Sequence, residues 1–91
     1  MVVNCRCKLT GTELKNGQNN KTYLYANLYQ NNEIVRCEVA SDTLYNELNK
    51  MSEMTDIDVE IDIRQGFWDG SRYIRYIVTS CELVHNHNEK K

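Results

Sequence analysis

Apolar and polar residues alternate with period two along most of the chain, so strands dominate the expected structure. The cleanest alternation sets Ile57, Val59, Ile61 and Ile63 against Asp56, Asp58, Glu60 and Asp62. A first strand runs through Val2 to Thr10, with Val3, Cys5, Cys7 and Leu9 inward and Arg6, Lys8 and Thr10 outward. Gly11 interrupts it before it resumes over residues 12–15, and a glycine inside a strand marks a bend or bulge. Residues 16–21 are polar and form a loop. In residues 22–29, Leu24, Ala26 and Leu28 take the core side, leaving Tyr23, Tyr25, Asn27 and Tyr29 on the other face. A turn at Gln30-Asn31-Asn32 makes a hairpin with residues 33–40, whose Val35, Cys37 and Val39 point inward. Ser41 is placed as a helix N-cap. Leu44, Leu48 and Met51 then recur at i, i+4 and i+7, predicting a helix of about three turns. A loop over Gln65–Gly70 leads to a last strand from Ser71 to about Val84. Both faces of that strand are partly apolar, which leaves its register open. The tail, residues 85–91, reads as disordered.

Strand, strand, strand, helix, strand, strand is the element order of a mainly β, five-stranded OB-fold barrel with one helix between the third and fourth strands. A bent first strand and a single domain over residues 1–84 fit it. An open α+β antiparallel sheet with one helix has the same element order and is the alternative. With 91 residues the chain can bury one modest core. No apolar run approaches the ~20 residues that cross a bilayer, and the N-terminus lacks the ordered regions of a signal peptide. A cytoplasmic, non-membrane protein is expected.

The four cysteines (Cys5, Cys7, Cys37, Cys81) lie in strand-like segments with no C-x-x-C pair. Reduced core thiols are expected rather than disulfides or zinc ligands. The formal net charge of −2 conceals an asymmetry. Residues 1–30 carry Arg6, Lys8, Lys15 and Lys21 against Glu13 alone, whereas residues 31–64 are strongly acidic. A nucleic-acid binder needs a basic face, not a basic total.

Three tyrosines on an open sheet face supply flat rings on which unpaired bases can stack; they also suit cross-strand packing on any sheet. OB-folds bind oligonucleotides on strands two and three, between the loops that join strands one to two and four to five. That scheme places Tyr23, Tyr25, Tyr29 and Arg36 on the binding face and Lys15 and Lys21 beside the first loop. It places Phe67 and Trp68 in the second loop, Arg72 and Arg75 just past it, and Arg6 and Lys8 outward on the first strand. Phe67 and Trp68 could instead cap one barrel end. The acidic row at 56–62 would repel phosphates and confine the path to one side. No Ser/His/Asp set or phosphate loop is present and both histidines lie in the tail, so no enzyme, cofactor, metal or small-molecule substrate is expected.

From Lys21 to Val84 the chain resembles the small single-stranded DNA-binding proteins of filamentous phages and related mobile elements. The likeness rests on Asn20-Lys21-Thr22-Tyr23, Tyr25, Gly70-Ser71 and Cys81-Glu-Leu-Val84. It implies an OB-fold that coats displaced strands in replication or transfer, with a homodimer as the candidate assembly. The chain departs from the phage proteins in having a helix after strand three and in lacking a long basic hairpin between strands one and two. The helix makes it equally similar to bacterial OB-fold binders carried by phages or conjugative elements. The function expected is single-stranded DNA binding by base stacking and phosphate neutralisation. A protein-interaction OB module and an RNA-binding protein are the alternatives.

Overall fold

The computed structural model of the chain describes residues 1–84. The tail expected to be disordered, residues 85–91, lies outside the described residues. Five strands, β1 (Val2–Asn16), β2 (Thr22–Gln30), β3 (Glu33–Val39), β4 (Thr55–Trp68) and β5 (Ser71–Leu83), close into a barrel in the order β1-β2-β3-β5-β4. The helix α1 (Asp42–Asn49) lies between β3 and β4. The closed barrel replaces the open-sheet alternative, and closure leaves fewer strand edges unpaired.

Strand β1 serves two neighbours. Its first half pairs with β4 and its second half with β2. The register shifts between Leu9 and Gly11, where Thr10 is the extra residue and donates its hydroxyl to the Asn27 carbonyl at 3.0 Å. This bulge is the bend expected at Gly11.

A second bulge explains the ambiguous last strand. Between Glu60 and Ile61 the β4–β5 register shifts, leaving Thr79 without a partner residue. Tyr76 and Val78 share the face of Ile63 and Ile61 before the bulge, and Cys81 and Leu83 share that of Val59 and Ile57 after it. The inward parity of β5 therefore changes at Thr79, so both faces read as partly apolar.

Leu9, Ile57 and Val78 are almost fully buried at the centre. Leu44 and Leu48 of α1 close one end of the barrel, and Ser41 caps the helix by accepting from the Leu44 amide at 3.2 Å. The helix is shorter than the apolar stripe suggests, ending at Asn49. Met51 lies beyond it yet still packs on the core. The other end is open. Strands β3 and β5 pair only at Glu38↔Ile77 and Val39↔Val78, so Val35, expected inward with Cys37 and Val39, lies below the last pairing and is 43% exposed. The open mouth has a volume of about 510 Å³ and is lined by groups such as Val3, Val35, Ile63 and Tyr76. Among the described residues, no helix is long and apolar enough to cross a membrane.

The segment expected as the loop Gln65–Gly70 is mostly strand. Gln65 to Trp68 pair with Ile74 to Ser71, and only Asp69 and Gly70 turn. Their φ values of 52° and 82° are those of a tight two-residue hairpin turn. Strands β4 and β5 thus project past the barrel as a ribbon arm, within a molecule 56 Å long and 26 Å wide.

Candidate nucleic-acid interface

Directly opposed residues of an antiparallel pair lie on one face, so the register maps the outer wall. Tyr25 of β2 stands between Glu13 of β1 and Glu38 of β3, Asn27 is opposite Arg36, and Tyr23 is opposite Lys15. The Arg36 guanidinium lies 4.5 Å from the centre of the Tyr25 ring, a cation–π distance. It also reaches Glu13 at 3.4 Å, crossing β2 to do so. Asn27 donates to the other Glu13 oxygen at 3.0 Å. The Asn27 bond, followed by the charge of Arg36, holds the Glu13 carboxyl below its ordinary range against an opposing effect of burial. On β5, Arg75 binds Glu38 through two bonds of 2.9 and 2.6 Å, which raises its own proton affinity.

The same outer face continues onto the arm. Arg75 is opposite Arg64, Tyr73 is opposite Gly66, and Ser71 is opposite Trp68. Two tyrosines are braced in the same way. A Cβ at Gly66 would overlap the Tyr73 ring, and a Cβ at Gly17 would overlap the Tyr23 ring. Each ring therefore rests on bare backbone, while Tyr23 and Tyr73 remain 45% and 47% exposed. Trp68, at the arm tip, is 77% exposed. Tyr73 is absent from the residues expected from sequence; its alternation with Arg75 on β5 was the available signal.

The structure gathers Lys15, Tyr23, Tyr25, Arg36, Arg75 and Trp68 on this continuous face, with Lys21 just before β2 beside Tyr23. Phe67, at 67% exposure, is opposite Arg72 on the other side of the arm, the side that continues the barrel mouth. Tyr29 lies at the far end of β2, opposite Lys8, and donates its hydroxyl to Asn32 at 2.8 Å. Arg6 and Lys8 belong to the β1–β4 wall. Arg6 binds Asp58 at 2.9 and 3.2 Å, and Lys8 binds Asp56 at 2.7 Å. Asp58 and Asp56 thus neutralise Arg6 and Lys8, and the acidic row forms a wall beside the tyrosine face. Among the described residues Lys15, Lys21 and Arg72 have no carboxylate partner, so they can take a phosphate with no ion pair to break.

The four thiols are free. Burial pushes Cys7 up to about 12 and Cys37 up to about 11, so both stay protonated and weakly nucleophilic at neutral pH. Among the described residues no group of three or more His, Cys, Asp or Glu has the geometry to hold a metal ion.

No family model matches the chain, and no curated protein is similar to it in sequence. Its three-dimensional structure is similar to that of the mitochondrial single-stranded DNA-binding protein Rim1 of Saccharomyces cerevisiae. The TM-score is 0.72 at 14% identity, covering 94% of this chain and 97% of that one. It is also similar to the SSB domain of a Synechococcus protein, with a TM-score of 0.57 at 13% identity over 88% and 91% of the two chains. A small single-stranded DNA-binding protein of Streptomyces coelicolor gives a TM-score of 0.52 at 7% identity over 92% and 94%. At such identities the likeness shows the fold, an OB-fold barrel with its helix between β3 and β4.

Proposed function

We propose that this chain is a non-enzymatic single-stranded DNA-binding protein whose DNA runs along the outer face from the β1–β2 loop to the arm tip. The carrying observation is the pair of glycine-braced tyrosines, Tyr23 and Tyr73, on the face that also holds Tyr25, Arg36, Arg75 and Trp68. A ring seated on backbone has little freedom to lose when a base stacks on its open side, so less binding energy goes into ordering it. Lys15 and Lys21, which have no carboxylate partner among the described residues, supply cations for phosphates, whereas Arg6 and Lys8 on the adjoining wall are already paired with Asp58 and Asp56 and offer a strand no free charge. The fold shared with three single-stranded DNA-binding proteins supports the same reading.

Action in replication or transfer of a phage or mobile element belongs to this proposal, supported by the resemblance over residues 21–84. So does a cytoplasmic site of action, which suits four free thiols. A homodimer is included, to be checked by sedimentation of the DNA-free protein.

The test is titration with oligo-dT, oligo-U and a duplex of the same length at low and high salt. Tight, salt-sensitive binding of oligo-dT with weak duplex binding is expected. Preference for oligo-U would make the protein an RNA binder. No binding to any of the three would leave the face to a protein partner.

A further inference from the structure

The face assigned to DNA carries a carboxylate where a phosphate binder should avoid one. Glu13 sits directly opposite Tyr25, and its partner Arg36 comes from β3, two strands away. Arg36 crosses diagonally, from the row of Asn27 on β2 to the row that holds Tyr25 and Glu13. The guanidinium then lies over the Tyr25 ring, covering the surface on which a base would stack. In the free protein Arg36 therefore acts as a bolt across β2.

We propose that Glu13 is a phosphate surrogate that an incoming strand displaces: Arg36 passes from the carboxylate to a DNA phosphate, and its departure uncovers Tyr25 for a base. This inference rests on the DNA-binding reading of the same face. Two features make the exchange possible at this pair. The Arg36–Glu13 contact is single, 3.4 Å long and half-exposed, the kind of ion pair that contributes little. Glu13 also keeps a partner after Arg36 leaves, because Asn27 still donates to it at 3.0 Å. Arg75 differs on both counts. It is held by two shorter bonds to Glu38, and Glu38 has no second donor among the described residues. Arg75 stays with Glu38 and positions the β3–β5 seam, while Arg36 is the arginine that exchanges. Phosphate contact and base stacking are coupled through one side chain, so Glu13 sets a threshold that only a ligand offering both can pass.

The experiment is a double-mutant cycle on oligo-dT affinity. Glu13→Gln removes the charge but keeps an oxygen to accept from Asn27. It should bind oligo-dT about two- to fivefold more tightly than the wild type, the worth of an exposed ion pair. In an Arg36→Ala background the same change should have no effect, because no guanidinium remains to be released. A Glu13→Gln gain of equal size in that background would show only general charge repulsion and overturn the exchange. Unchanged or weaker binding by Glu13→Gln would also overturn it, making Glu13 a positioning residue, while leaving DNA binding by the face intact. A wild-type protein that does not bind oligo-dT at low salt would remove both readings at once.

Discussion

Replacing Trp68 with alanine separates a stacking role from a structural one. Trp68 is 77% exposed and lies beside the two-residue turn that ends the arm. A tryptophan offers about 250 Å² of burial at most, so roughly a quarter of that, ~60 Å², is withdrawn from water here. At ~25 cal/mol per Å² the ring contributes about 1.5 kcal/mol as an upper bound, since the unfolded chain buries part of the same surface. Against this, one base–aromatic stack is worth about 1–3 kcal/mol of affinity. Trp68→Ala should therefore weaken oligo-dT binding by that amount while urea denaturation shows a loss below the upper bound. Trp68 is also the only tryptophan, so wild-type fluorescence reports directly on the ring. Quenching on addition of oligo-dT should saturate with the affinity measured by anisotropy. A variant that loses stability but binds normally, from a wild type whose fluorescence ignores DNA, refutes a stacking role and makes Trp68 a structural cap.

Further outcomes follow from the same geometry. Lys21→Ala should reduce affinity similarly for all sequences and lower the salt slope by about 0.7, the value for one phosphate contact on a single strand; an unchanged slope means the side chain does not touch the backbone. Gly66→Val should displace the Tyr73 ring and remove up to one stack, about 1–3 kcal/mol, without unfolding the barrel, because valine suits a strand; unaltered affinity would show that the braced ring is not used. The hydrogen bond from Arg6, and after it the Arg6 charge, hold the Asp58 carboxyl below its ordinary range. A depressed carboxyl contributes stability above its unfolded-state pKa and loses it as pH falls through the folded value. Arg6→Ala should raise the Asp58 titration towards normal and flatten that acid-side loss, with an unmoved NMR titration of Asp58 contradicting the pairing.

The barrel was legible wherever alternation was uninterrupted. The inward rows of β1 and β4 and the cap at Ser41 are placed as the residue pattern indicates. The pattern was least informative where one residue changes parity. Thr79 reverses the inward face of β5, and no composition marks a bulge held by a single threonine. Residues 65–68 read as loop because Gly66 and two exposed aromatics interrupt the alternation; the Asp69-Gly70 turn signal was present, and it moves the strand end four residues outward. Charge pairing was hidden for a different reason. That Lys8 and Arg6 meet Asp56 and Asp58 depends on register between strands some fifty residues apart. The bracing of Tyr73 likewise depends on which residue stands opposite it.

NMR chemical-shift mapping with oligo-dT tests the path of the strand most directly. Amide and ring signals of Tyr23, Tyr25, Arg36, Tyr73 and Trp68 should move together and saturate at one stoichiometry, while those of Arg6, Asp56 and Asp58 stay still. Shifts confined to the acidic wall, or to Val35, Phe67 and Ile74 around the barrel mouth and the other side of the arm, would contradict DNA binding on the outer face.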